Sequence, residues 1–211
     1  MVHTAPRWNS IEDAQASPGA MEASLAALLE LVEESAPDVA AHMERTARIA
    51  RLFALELGLD GQLLELVVRT ARVHDVGKLA IPPWVLEKPG PLTHYERALM
   101  EAHSVIGQKI LERKPALARL GPLVRATHER WDGNGYPDRL KGSAIPLPSR
   151  IVTVCDAFDA MTHPRAYRRH ANHSTALEEL RRGWGTQFDP GVIETFLAVF
   201  DESVDRGAYG A

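Results

Sequence analysis

Leu63-Leu64-Glu65-Leu66-Val67-Val68-Arg69-Thr70-Ala71-Arg72-Val73-His74-Asp75-Val76-Gly77-Lys78 is the stretch on which the fold class turns. Leu64, Val67, Ala71 and His74 follow one another at steps of three or four, with Leu63 beside them. That spacing predicts one face of an α-helix. An apolar helix face points inward, so this one carries an imidazole into the interior. Adjacent helix residues project about 100° apart, so His74 and Asp75 would normally serve different surroundings. A cation at the helix end can take one ligand from each. A carboxylate has two oxygens and can bridge two cations, which a single imidazole nitrogen cannot. Lys78 lies three residues past Asp75 and can reach the same cavity.

The pattern extends in both directions. Pro37 can start a helix that runs to Leu57 and stops at Gly58, with His42, Thr46, Ile49, Phe53 and Leu57 as its stripe. Thr93 and Glu96 fit a capping box, and the helix they start shows Leu99, His103, Ile106 and Ile110 on one face. Gly121-Pro122 opens a helix toward His128, and Ile151, Val154, Phe158 and Met161 form a further stripe around Asp156. Leu25, Leu28, Leu29 and Val32 make an earlier stripe, Thr175 with Glu178 suggests another cap, and Asp189-Pro190 opens a last helix through Phe200. Residues 129–148 are dense in Gly and Pro and read as loop. No segment alternates as a strand. The expectation is an all-α fold, a helical bundle with one long functional loop. Residues 1–20 read as a flexible leader, 21–36 as an N-terminal helix able to pair with a second copy in a homodimer, 37–204 as the domain, and 205–211 as a tail.

His42, His74, Asp75, His103, His128 and Asp156 thus all fall on, or at the end of, apolar helical patterns. Any one of them alone is most simply a satisfied core histidine or a cap. Together they need a shared partner, because buried polar groups must be satisfied. A pair of metal ions serves, since His and Asp together suit zinc, iron or manganese. His3, His94, His163, His170 and His173 lie in polar surroundings, in the leader or at a cap, and read as surface residues.

The 211 residues, 45% hydrophobic and 25% charged, suffice for one sizeable core. A formal net charge of −4 argues against binding a nucleic-acid polymer through a basic surface, while a small anion in a locally positive pocket stays open. The single cysteine, Cys155, excludes an intramolecular disulfide and reads as an inert buried thiol. A reducing, cytoplasmic setting follows as the default, and no run of apolar residues is long enough to span a membrane.

His74-Asp75-Val76-Gly77-Lys78, followed by His128-Glu129-Arg130-Trp131-Asp132-Gly133-Asn134-Gly135-Tyr136-Pro137, resembles the HD-GYP family of bacterial phosphodiesterases. The likeness continues through Ile145-Pro146, Arg150-Ile151 and Asp156-Ala157-Phe158-Asp159-Ala160-Met161-Thr162 to Phe188-Asp189-Pro190, covering about residues 37–200. The resemblance implies an HD helical core with additional C-terminal helices, divalent metal ions, typically iron or manganese, and hydrolysis of cyclic di-GMP to linear pGpG and on to GMP. It matches His42, His74, Asp75, His103, His128 and Asp156 to metal ligands, with Asp75 as the bridging, catalytic carboxylate. It matches Lys78 to a lysine at the substrate phosphate and Arg165 and Arg168 to basic residues that grip the nucleotide. Gly135, Tyr136 and Pro137 form the loop motif, which the resemblance makes a docking surface for GGDEF-type synthases. Tyr136 either stacks on guanine or packs the loop; Trp131 reads as packing. Asp159 either holds a neighbouring ligand or caps backbone.

Two departures from the family pattern bear on the metal count. Thr127 stands where the family has a second histidine, and a hydroxyl is a poor substitute for imidazole on a transition metal. Asp38 stands where members with a third metal carry Glu; it is either that additional ligand or an early-helix acid that favours the dipole. The expectation is two ions rather than three. The competing expectations are a degenerate module that binds a nucleotide or a protein partner without hydrolysis, and a phosphodiesterase for another cyclic dinucleotide.

Overall fold

A computed structural model describes residues 17–163 and 171–205. Its helices are α1 (Pro18–Ser35), α2 (Pro37–Glu56), α3 (Gly61–Val73), α4 (Pro83–Leu86), α5 (His94–Glu101), α6 (His103–Glu112), α7 (Gly121–Arg125), α8 (Leu147–Thr162), α9 (His173–Arg182) and α10 (Pro190–Asp205). Short 3₁₀ turns lie at Val76–Ala80, Ala118–Leu120 and Gly142–Ala144, and no named strand occurs among the described residues. The all-α expectation holds. Among the described residues no helix is long and apolar enough to cross a membrane.

Helix starts follow local chemistry. The Ser17 hydroxyl accepts from the Ala20 N–H, with Pro18 in the first turn of α1, three residues earlier than the stripe of leucines indicates. Asp189 Oδ1 accepts from the Gly191 N–H at 2.8 Å and so caps α10. Thr175, read as a cap, is corrected: the Asn172 side chain accepts the Thr175 N–H at 2.8 Å and is the N-cap of α9. Thr93 and Glu96 form the capping box of α5. The Lys88 ammonium, 2.6 Å away, and then the Thr93 N–H hold the Glu96 carboxyl at about 2, below its ordinary 4.5. A depressed carboxylate stabilises the fold above its unfolded pKa, and that contribution is lost as pH falls through the folded value. Amide protection of the first turn of α5, followed by hydrogen exchange, should therefore weaken between pH 4.5 and 2, and Glu96→Gln should remove that dependence.

The helix expected to run unbroken from Thr93 past His103 is two helices that meet at Ala102. At this joint side chains occupy backbone carbonyls: His103 Nδ1 donates to Met100 O at 2.6 Å and the Ser104 hydroxyl donates to Glu101 O at 3.1 Å. Such bonds compete with the helical ladder, and no apolar periodicity reports them.

The core has two parts. One joins Phe53 of α2, Val67 of α3, Ile151 and Phe158 of α8, and Phe196 of α10; Phe53 and Phe196 meet edge to face at 4.9 Å. The other joins Leu25 and Val32 of α1 with Met43, Val73, Val76, Leu111 and Leu120. The α1 stripe of Leu25, Leu28 and Val32 is thus buried within its own chain. Burying each such side chain contributes about 1.5–3 kcal/mol before entropy is counted. The boundary between the two parts runs through α2 between Met43 and Ala47, and through α3 between Ala71 and Val73. His42 and His74 fall beside that boundary, which is where the polar set gathers.

Candidate metal centre

Six segments each deliver one residue of the set. His42 comes from the second turn of α2, His74 caps the C-terminus of α3, and Asp75 opens the 3₁₀ turn that follows. His103 starts α6, His128 ends the turn after α7, and Asp156 lies in the middle of α8. The ligand atoms of His42, His74 and Asp156 all lie within 4.8 Å of one another, and so do those of Asp75, His103 and His128. All six residues expected from the sequence are therefore brought to one place, as two adjoining triads.

Asp75 ties the triads together. Its Oδ1 faces His103 Nε2 at 3.3 Å and His128 Nε2 at 3.8 Å, while its Oδ2 faces His74 Nε2 at 3.5 Å and His42 Nε2 at 3.7 Å. One carboxylate thus presents one oxygen to each triad. Lys78 Nζ sits 2.5 Å from Oδ2. Burial works against the Asp75 charge, but Lys78 and the surrounding imidazoles outweigh it and hold the carboxyl well below the usual carboxylate range. An ammonium drawn to this oxygen marks a spot where positive charge is stabilised.

The Nε2 atoms of His74, His103 and His128 converge, while His42 Nε2 lies 2.9 Å from Asp156 Oδ1. His74 Nδ1 donates to Ala71 O at 2.8 Å and His103 Nδ1 to Met100 O at 2.6 Å. With Nδ1 carrying the proton, Nε2 is left as acceptor. His42 Nδ1 is 2.6 Å from Asp159 Oδ2, and Asp159 is gripped in turn by Arg45 at 2.9 and 3.1 Å. Of the two readings of Asp159, contact with a neighbouring member of the set, His42, is the one observed. Burial pushes the His103 pKa down to about 4, so this ring is neutral at pH 7. For His42 burial acts the same way, but hydrogen bonds to Asp156 and Asp159 overcome it and hold the pKa at about 9.

His74 Nε2, Asp75 Oδ1, His103 Nε2 and His128 Nε2 are buried and make no hydrogen bond among the described residues. Orphaned polar atoms in a close-packed interior are costly. Orphans that converge, three imidazole nitrogens and a carboxylate oxygen, are a donor set for divalent transition metals. The residues present fit such ions.

Asp38 is exposed in the first turn of α2 and belongs to neither triad. Its position is that of an early-helix acid. Thr127 is buried, and its hydroxyl donates to Val124 O at 2.8 Å, so it is committed to backbone. Arg165 and Arg168 lie outside the described residues. Tyr136 is half-buried and its ring stacks on His128 at 5.2 Å with an 11° interplanar angle, which makes it packing as well as cleft wall. The Gly-Tyr-Pro loop doubles back here: a Cβ on Gly135 would lie 2.4 Å from Arg130 N and 2.6 Å from Glu129 Cα, so only glycine fits. Two residues that the sequence reading passed over are Arg45 and Glu129. Glu129, buried beside His128, accepts N–H groups of Asp138 at 2.7 Å and Leu140 at 3.0 Å and pins the far side of the loop. Nothing in the spacing of either residue signals this role. A cleft of about 270 Å³ opens over His128 and Asp156, walled by Tyr136, Gly135, Asn134, Arg97 and Glu101.

A model of the HD domain family matches residues 26–192. The chain belongs to the HD domain family. Among curated relatives of this HD domain, the 3'3'-cGAMP-specific phosphodiesterase 2 of Vibrio cholerae is 37% identical over 84% of this chain and 34% of its own length. The cyclic di-GMP phosphodiesterase response regulator RpfG of Xanthomonas campestris is 39% identical over 82% of this chain and 47% of its own. The chain thus spans about a third to a half of these relatives' length. Among solved structures, the HD domain of the Listeria monocytogenes phosphodiesterase PgpH in complex with cyclic-di-AMP shares the fold, with a TM-score of 0.63 and 18% identity over 87% of this chain and 97% of that one. A HDG"Y"P protein from Bdellovibrio bacteriovorus gives 0.64 at 17% identity over 77% of this chain and 52% of that one. The sequence resemblance and the fold agree.

Exchanging the buried Asp159 for asparagine tests the hold on His42. Asp159→Asn should weaken metal affinity about 10–100-fold, read by competition with a chelator. Unchanged affinity would mean that the Asp159–His42 bond does not steady the metal site and that Asp159 serves Arg45 and His163.

Proposed function

We propose that this HD domain is a metal-dependent phosphodiesterase that opens a cyclic dinucleotide, cyclic di-GMP first, to linear pGpG and then to GMP. The observation that carries the reading is Asp75, one oxygen turned to each of two pairs of histidines. His42, His74 and Asp156 would hold one ion, and His103 and His128 the other, with Asp75 shared between them; iron or manganese suits this mixed nitrogen and oxygen set. A pair of such ions supplies an activated water and neutralises charge on the phosphoryl group. The protein's own part is placement. Nδ1 bonds fix the imidazoles, the cleft over His128 and Asp156 admits a phosphate from one side, and Lys78 adds a positive charge beside Asp75 for a phosphoryl oxygen. The relatives named as cyclic dinucleotide phosphodiesterases support the substrate class.

Protein loaded with manganese or iron under anaerobic conditions should convert cyclic di-GMP to pGpG, followed by chromatography. Protein shown to hold two ions, yet giving no product from any cyclic dinucleotide, would refute the reading. Thr127 motivates the alternative, a degenerate module that binds without hydrolysis. Its hydroxyl already bonds Val124 O, so Thr127→Val should leave metal content and turnover within about twofold, at a stability cost of about 1 kcal/mol for the lost hydrogen bond. Loss of an ion on that substitution would make Thr127 a ligand after all.

A further inference from the structure

We propose that Arg97 and Glu101, one helical turn apart on α5, form a guanine-reading pair on the wall of the cleft. The inference rests on the phosphodiesterase reading and adds the base that the site selects. Both residues line the cleft whose floor includes His128 and Asp156. They are oppositely charged at i and i+4, yet neither has an ion pair or a side-chain hydrogen bond among the described residues. The order, Arg before Glu, is the weaker one for pairing across a turn. Neighbouring charges are committed elsewhere. Arg130 binds Asp132 at 2.8 Å, Arg125 binds Asp138, Glu129 holds two backbone N–H groups, and Glu96 holds Lys88. Among the described residues, what is left without an ion pair at the cleft is the Glu101 carboxylate, at the C-terminal end of α5, and the Arg97 guanidinium one turn before it.

Their chemistry matches one purine. Guanine presents two adjacent donors, N1–H and the N2 amino group, on one edge and two acceptors, O6 and N7, on another. A carboxylate accepts two hydrogen bonds side by side and an arginine donates two, and arginine against O6 and N7 is the commonest specific guanine contact. Adenine offers an acceptor at N1 where guanine has a donor, so it would face Glu101 with like polarity. The cleft volume of about 270 Å³ is just below the range of roughly 300–1,000 Å³ for a site that encloses a whole small ligand. It suits one nucleoside of a cyclic dinucleotide, with the rest outside.

The test compares cyclic di-GMP, 3'3'-cGAMP and cyclic-di-AMP on manganese-loaded wild type and Glu101→Gln, by kcat/KM and by equilibrium binding. Wild type should favour cyclic di-GMP over cyclic-di-AMP by roughly tenfold or more, and Glu101→Gln, whose amide can also meet adenine, should close that gap by about tenfold. Metal content and melting temperature are measured on the same samples and should stay unchanged, a needed control because Glu101 lies two residues before His103. A preference untouched by Glu101→Gln, or a wild type indifferent to the base, would overturn the pair and leave the phosphodiesterase standing. Base-selective binding without cleavage of any of the three would keep the pair and refute the hydrolytic reading. Neither binding nor cleavage would remove both.

Discussion

Asp75→Asn is expected to lower the metal content of the protein from two ions to one or none and to reduce turnover of cyclic di-GMP by about a thousandfold or more, the factor that losing several kcal/mol of charge stabilisation produces. Asparagine has nearly the same shape, so the backbone of the turn that follows α3 can stay where it is. The charge cannot be replaced. Among the described residues, Asp75 is the one carboxylate that faces both pairs of histidines, with Oδ1 toward His103 and His128 and Oδ2 toward His42 and His74. It also neutralises Lys78, so the substitution leaves an ammonium partly buried among imidazoles, where burial penalises its charge. Elemental analysis and circular dichroism on the same sample separate the effects: helicity retained with metal lost is the expected pair. Two ions retained by the variant would show that the triads do not depend on a shared oxygen.

Gly77→Ala carries the second large effect. A Cβ at Gly77 would lie 1.9 Å from His103 O and 2.7 Å from Gly107 N. Both are backbone atoms of α6, so no side chain can swing aside, and the 3₁₀ turn Val76–Ala80 would have to lift away from the helix. Such overpacking should cost about 3 kcal/mol or more, a fall of roughly 6–12 °C in melting temperature for a chain of this size. Asp75 rides on the turn and His103 on the helix, so metal affinity should fall together with stability. An unchanged melting temperature would mean that the turn and α6 are not in the contact described.

These two residues also show what the sequence could and could not disclose. The stripes of Leu64, Val67 and Ala71 or of Ile151, Val154 and Phe158 reveal helices because burial imposes their period. The six histidines and aspartates stood out because polar residues on apolar stripes are costly, and all six meet in the two triads. What spacing does not encode is a competing hydrogen bond. The break at Ala102 arises from His103 and Ser104 bonding carbonyls of the preceding helix, and the cap of α9 is Asn172 rather than Thr175 because the amide oxygen of Asn172 reaches the Thr175 N–H. Arg45 and Glu129 were illegible for a related reason: each acts through a partner distant in the chain or across a loop, Arg45 through Asp159 and Glu129 through Asp138 and Leu140. Arg97 and Glu101, in turn, look in sequence like an ordinary solvated helix face. Only the cleft beside them gives their lack of partners a meaning.

Metal stoichiometry of the wild-type chain tests the shared-carboxylate centre most directly. Protein prepared without oxygen, saturated with Mn²⁺ or Fe²⁺, freed of loosely held ions and assayed for metal and for protein should hold two ions per chain. A saturated value of one ion per chain, or none, would contradict a centre in which Asp75 is shared between two pairs of histidines.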